Sequence, residues 1–329
     1  MTTPATDRPL NALGRVLQSI EAVRQGEALY VLLSSFALGG LLLAMGQSAL
    51  VRDARFQGVV WGGLALTVAF YGSNAAGLLL MDDARGQTPR GIGRAVRDAL
   101  TGAHRLVVVL LAAGACGLVP LTLLLALLWL SRAPMLGTWL FALVVPVGVL
   151  GVGATLLSAV GVVAPLAAPA TWSGLGVRAV LRFLCTQVRQ RLVFTALLNA
   201  AVGMVTAAVA ALVSFVVLAG GRAVAALAVV VTDVDLPPQQ LLAGLFGYGL
   251  RTLGPAGVPV ARDAYGAAAL IGGGLVFALA LVLPAVVYLR GSCAVFLSLQ
   301  EADAARRSVP ASPAALPELP VVGSHHPGA

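Results

Sequence analysis

The chain has 329 residues, of which 59% are hydrophobic and only 10% charged, with a mean hydropathy of +0.94. Soluble domains carry about 25% charged residues, so a water-soluble globular fold is ruled out and the chain belongs in a bilayer. Its formal charge of +8 comes from 21 basic residues, every one an arginine; in a membrane protein arginines are first of all topology signals, and nucleic acid is not a partner they indicate.

In chain order, Met1 to Pro9 is polar, after which Leu13, Val16, Leu17, Ile20 and Val23 recur at three- and four-residue spacing. That pattern predicts an amphipathic helix lying in the interface over residues 1–27. No cleavable leader is read here, so the first apolar run is an uncleaved anchor. Spans are expected at about 28–51 and 59–81, each long enough at ~1.5 Å per residue for a ~30 Å hydrocarbon core. Between the second and third apolar runs lies Met81 to Val107, which concentrates Asp82, Asp83, Asp98, His104 and five arginines. On a helical wheel Arg90, Arg94, Arg97 and Arg105 share one face with Asp98 and Thr101, opposite Ile92, Val96, Ala99 and Leu100. This predicts a second interfacial helix, with Arg94 and Asp98 as an i,i+4 pair.

The third span is read at 106–130 and the fourth at 138–163, joined by a short turn and ended by Pro165 and Pro169. Thr171 or Ser173 is expected to cap a third basic segment holding Arg178, Arg182, Arg189 and Arg191. That segment echoes the earlier one. Gly91-x-Gly93, Arg94-Ala95-Val96 and Arg105-Leu106-Val107 match Gly174-x-Gly176, Arg178-Ala179-Val180 and Arg191-Leu192-Val193, an internal repeat in which a basic helix leads into a membrane hairpin. The fifth span is read at 192–218 and the sixth at 267–288, with an outer connection over 220–266. The first 27 residues, a six-span domain over 28–299 and a disordered tail over 300–329 are the expected units. Pro120, Pro146 and Pro284 should kink three spans. Small-residue contacts are expected at Gly39, Gly40, Gly62, Gly63, Gly148, Gly151, Gly153 and Gly272 to Gly274.

With the N-terminus inside, 15 of the 21 arginines fall in inside segments. The positive-inside rule then places both termini in the cytoplasm. The expected fold class is an all-α polytopic bundle of six spans, with amphipathic helices before spans 1, 3 and 5.

Tests for chemistry come out bland. All six spans lack Asp, Glu, Lys and His at mid-depth, which disfavours proton-coupled transport. Tyr71, Asn74 and Asn199, with Gln47, Ser73 and Ser158, are read as interhelical hydrogen-bonding groups. His104 reads as a solvated interfacial residue with no nucleophile beside it. Asp82 and Asp83 read as a solvated span terminus, and Cys116, Cys185 and Cys293 as buried inert thiols. No catalytic residue, metal ligand or cofactor is expected. The positive signal lies in the basic faces, where Arg90, Arg94, Arg97, Arg105, Arg178, Arg182 and Arg189 are candidate contacts for anionic lipid.

The run Asn74-Ala75-Ala76-Gly77-Leu78-Leu79-Leu80-Met81-Asp82-Asp83-Ala84-Arg85-Gly86, followed by a basic helix and an apolar hairpin, resembles a group of proteobacterial polytopic inner-membrane proteins. In layout the chain is similar, more loosely, to the membrane domains found beside glycerophosphodiester phosphodiesterases and to Yip1-like proteins. The resemblance implies a helical bundle in a bacterial inner membrane, without enzymatic chemistry to carry over. The expected role is to organise or bind lipids, membrane-protein partners or a second copy of the chain. A permease for a neutral or amphipathic molecule is the alternative, requiring a continuous polar cavity lined by Tyr71, Asn74 and Asn199. A lipid-modifying enzyme, requiring Asp82, Asp83 and Asp98 to converge on a metal, is the weaker one.

Overall fold

The structure is a computed structural model and describes Gly14 and residues 18–132, 137–232 and 264–308. A 3-10 helix, Gln18–Arg24, leads into α1 (Gly26–Val51) and α2 (Arg55–Ala84). α1 and α2 form a close hairpin whose turn places Asp53 at φ +58°, a left-handed conformation that aspartate tolerates better than most residues. Next come α3 (Ile92–Gly102), α4 (His104–Leu130) and α5 (Gly137–Ser158). A π turn, Ala159–Val163, joins α5 to α6 (Ala164–Trp172), and α7 (Val177–Thr232) and α8 (Ala264–Ser308) complete the chain. The described residues are helical throughout apart from connections, and six stretches are long and apolar enough to cross a membrane. A helix is the form that lets a chain in hydrocarbon satisfy its own backbone groups.

Several element ends differ from the sequence reading, each for a physical reason. The fourth span does not stop at Pro165 and Pro169. Its helix passes through a wider π turn and continues to Trp172; the wider turn gives room just where the Pro165 ring would meet the preceding turn. Thr171 and Ser173 do not cap the next helix, because their hydroxyls donate backward to the carbonyls of Ala168 and Ala170. The fifth span extends past Gly220 to Thr232, and the sixth helix runs beyond Glu301 to Ser308, into the stretch read as tail. Helices also run through Pro120, Pro146 and Pro284. A sharp backbone break falls at Arg191, with φ −144° and ψ 29°. It divides α7 into a basic first part and an apolar second part, where the reading placed the start of span five. Leu13, Val16 and Leu17, the connection 233–263 with Asp233 and Asp235, and the tail 309–329 with His325 and His326 lie outside the described residues.

The core is concentrated at one end of the bundle. Chain direction puts the start of α1, the end of α2, α3, the start of α4, α6, the first half of α7 and the end of α8 on the same side. The buried apolar cluster is drawn from those segments: Val31 and Leu32; Ala75 to Met81; Ala95 and Ala99; Leu106 and Val109; Leu166 to Ala170; Val180 to Val202; Val282 to Leu299. In α2 every residue from Asn74 to Asp82 is buried, so that this last part of the helix is surrounded on all sides. A helix apolar all round is what such a position requires. At the opposite end the spans expose their large side chains, among them Leu66, Trp129, Trp139, Leu150, Met204 and Phe215. Lipid tails are as apolar as leucine, so those surfaces lose nothing by facing the bilayer.

Close approach at the packed end depends on glycine at one position above all. A β-carbon on Gly77 would overlap the indole of Trp172, so α2 and α6 meet there only because residue 77 has no side chain. By contrast Gly40, Gly62, Gly63, Gly151 and Gly153 face open space, and they are not the helix contacts that the sequence suggested.

Candidate functional site

The polar chemistry of the described residues lies at the packed end and begins where α2 stops. Arg85 caps the helix and Gly86 follows at φ +68°. The Gly86 N–H donates to Asp83 O (2.9 Å) and the Gln87 N–H to Asp82 O (3.0 Å), the paired bonds of a glycine-terminated helix. α6 ends in the same way, with Ser173 as cap, Gly174 at φ +89° and the Gly174 N–H donating to Thr171 O. The proposed repeat therefore has a different register: Gly86 corresponds to Gly174 and Gly91, the residue before α3, to Gly176. The Gly91-x-Gly93 alignment does not hold, since Gly93 lies within α3.

The reversal at Gly86 brings Arg90 back over the helix end. Its Nε donates to Asp82 Oδ2 (2.7 Å) and its Nη2 to Asp82 Oδ1 (2.8 Å), a two-pronged pair, while Nη1 donates to Asp98 Oδ2 (2.9 Å). The Asp82 carboxylate holds the Arg90 guanidinium above its usual pKa, with smaller help from Asp98. Asp82 is therefore not the solvated terminus expected from sequence; its side chain is 7% exposed. Asp98 is held by Arg90 and not by Arg94, because a guanidinium can serve two carboxylates at once.

Asp83 is also paired, with Arg290 Nε at 2.8 Å on α8. Arg85 Nη2 donates to the Ser173 carbonyl (3.2 Å), so a cation on one helix end meets the carbonyl end of another. At the Arg191 break, Arg191 Nη2 lies 3.3 Å from Asp303 Oδ1, and Gln187 Nε2 donates to Asp303 Oδ2 (3.0 Å). These bonds join α2 to the segment before α3, to α6 and to α8, and join α7 to α8.

The candidate intramembrane polar residues serve closed contacts. Asn74 accepts the Trp172 indole N–H at Oδ1 (2.9 Å) and donates to Phe70 O (2.8 Å). Asn199 Nδ2 donates to the Gly161 carbonyl (2.8 Å) in the π turn. Gly161 precedes Pro165 by four residues, so its carbonyl is the one a proline N–H cannot reach in α geometry. Asn199 Oδ1 is buried without a partner among the described residues. Tyr71 is half-buried, its ring edge-on to Phe70. The Asn74 amide and the Asn199 Nδ2 are thus spent in contacts between helix segments.

Among the seven candidate lipid contacts the structure makes a division. Arg90 is committed to Asp82 and Asp98, whereas Arg94, Arg97, Arg105, Arg178, Arg182 and Arg189 are exposed and their guanidinium groups pair with no described residue. On α3, Ala95 and Ala99 face the bundle while Val96 and Leu100 stay exposed beside those arginines. His104 is exposed, as read. Cys116 and Cys185 are exposed, contrary to the reading; only Cys293 is buried. Asp82 and Asp98 do converge, but on a guanidinium, and no group of three His, Cys, Asp or Glu side chains able to hold a metal occurs among the described residues.

Trp172, Gln187, Arg290 and Asp303 were not read from sequence as parts of a site. Trp172 carried no signal beyond being an aromatic at a span end, and Asp303 lay in a stretch whose composition resembles a tail. The fold and the polar contacts define a class: a six-span helical bundle stapled at one end by ion pairs that gather around the end of α2 and the break in α7. Comparison with protein-family models, with curated proteins and with solved structures finds no match to this chain.

Proposed function

We propose that this is a non-enzymatic multi-pass protein of a bacterial inner membrane, with both termini cytoplasmic, that binds and organises lipids at the inner leaflet. The observation that carries this reading is the set of six exposed arginines on α3, the start of α4 and the first part of α7. They stand beside arginines at the same end that are consumed in internal pairs. Exposed Val96 and Leu100 add an apolar edge that enters the head-group boundary while Arg94 and Arg97 stay at its surface. Partner proteins or a second copy of the chain would dock on this lipid-bound platform.

Each arginine near an anionic leaflet gains roughly 1 kcal/mol, so several together concentrate acidic lipid around the protein. The test is reconstitution of the full chain in nanodiscs of phosphatidylglycerol and phosphatidylcholine, with spin-labelled lipids reporting which species is immobilised at the protein surface. Changing Arg94, Arg97, Arg178 and Arg182 to glutamine should cut the preference for the acidic lipid about tenfold or more. Added salt should weaken the wild-type preference. An unchanged preference in the quadruple variant would remove the reading.

A further inference from the structure

One face of α7 carries a buried polar row. Gln187, Arg191, Thr195 and Asn199 follow one another at four-residue spacing; Gln187 and Thr195 are fully enclosed and Asn199 is 9% exposed. Both ends of the row are firmly held. Gln187 Nε2 donates to Asp303 Oδ2 (3.0 Å), and Asn199 Nδ2 donates to the Gly161 carbonyl (2.8 Å).

The middle of the row is short of donors. Hydroxyls elsewhere in the spans donate to a carbonyl one turn back, Thr155 to Gly151, Ser158 to Ala154 and Thr206 to Val202. Thr195 does not, because the carbonyl one turn before it belongs to Arg191, where the helix breaks. Its hydroxyl reaches across the break to Gln187 Oε1 at 3.5 Å, well beyond the ~2.5–3.0 Å of a good O–H···O bond. Asn199 Oδ1 accepts from no described residue. Gln187 Oε1, Thr195 Oγ1 and Asn199 Oδ1 are all acceptors, and among the described residues the Thr195 hydroxyl is the donor they share.

A group that fits here must bring two donors and be very small. Asn199 Oδ1 is sealed from solvent, so nothing larger than one water reaches it. A cation does not fit: the Asp303 carboxylate at the near end already serves Arg191 and Gln187, and neutral oxygens alone do not repay the desolvation of a charge. Thr195 and Asn199 lie one turn apart on the same face, with ~5–6 Å between their β-carbons. One water making two hydrogen bonds of ~2.8 Å closes that gap, and buried waters characteristically serve polar groups left over in this way.

We propose that a single ordered water is held between Asn199 Oδ1 and Thr195 Oγ1, donating to both, while the Thr195 hydroxyl proton stays with Gln187. The water completes a hydrogen-bonded row from Asp303 on α8 to the π turn of the fourth span. It is a structural ligand of that joint, and it uses neither the exposed arginines nor any lipid.

Asparagine is rare in this chain, at positions Asn11, Asn74 and Asn199. With Asn11→Ala in place, isotope-labelled asparagine reports on the other two amides in the full chain in bilayers, by solid-state NMR with polarisation transferred from water protons. Asn74, whose Oδ1 is taken by the Trp172 indole, is the dry reference. Water polarisation should reach the Asn199 amide at least threefold faster than that of Asn74. Thr195→Val, which keeps the shape and removes the hydroxyl, should bring Asn199 down to the Asn74 rate. Thr206→Val, on the same helix, should change nothing, and an unshifted Asn74 signal shows that each variant is folded. Equal build-up at Asn74 and Asn199 with Thr195 in place, or fast build-up at Asn199 that survives Thr195→Val, would overturn the proposal.

Discussion

Replacing Arg90 with methionine is expected to lower the unfolding free energy by about 3–5 kcal/mol, the usual cost of stranding one member of a buried ion pair. Asp82 is the stranded member. Its side chain is 7% exposed, it sits at the end of the enclosed run from Asn74 to Asp82, and without Arg90 it loses both prongs of the pair together with one of the fixed points of the α2–α3 connection. The double change Asp82→Leu/Arg90→Met should recover most of that loss, because it removes the charge along with its partner. Arg94→Met, on an exposed arginine of the adjoining helix α3, should cost within about 0.5 kcal/mol. Chemical unfolding in mixed micelles, followed by tryptophan fluorescence, reads all three; a single Arg90→Met variant as stable as wild type would show that the clamp is not formed.

The second large effect is expected at Gly77. Gly77→Ala forces a methyl group into the Trp172 ring, and overpacking of this kind costs about 1–3 kcal/mol. Moving the indole away adds the loss of its bond to Asn74, which leaves a buried acceptor unsatisfied at about a further 1–3 kcal/mol. Gly63→Ala, in the same helix but facing open space, is the control and should be neutral or slightly stabilising, since alanine favours helix over glycine. Trp172 is itself the reporter: its emission should shift in Gly77→Ala and stay in place in Gly63→Ala.

These two positions show what was legible in the sequence. Six long apolar runs give six spans, because a bilayer demands length and low charge and little else. Basic helices before the third and fifth spans were readable from the wheel at Arg94, Arg97, Arg178 and Arg182. The partner of Asp82 was not, because the reversal at Gly86 decides which arginine returns to it, and spacing alone favoured the local Arg94–Asp98 pair. Gly77 could not be told from Gly63, since both sit in the same apolar helix and only the neighbour distinguishes them. Pro165 looked like a terminus because a π turn leaves no mark in composition. Asp303 looked like tail for a similar reason: its partners Gln187 and Arg191 lie more than a hundred residues away.

A bundle packed at one end and open at the other divides its work. The packed end ties its helices together through Asp82, Asp83, Arg85, Arg90, Arg191, Arg290 and Asp303 and presents Arg94, Arg97, Arg105, Arg178, Arg182 and Arg189 outward. The open end offers apolar side chains to lipid. This division supports the lipid-organising reading only if the packed end faces the cytoplasm, where the leaflet is acidic.

Cys185 reports on that directly, because it is exposed on the basic part of α7. In intact cells treated with a membrane-impermeant maleimide and mapped by mass spectrometry, Cys185 should remain unmodified, and it should react once the membrane is permeabilised. Modification of Cys185 in intact cells would place the arginine-bearing end outside and contradict the account.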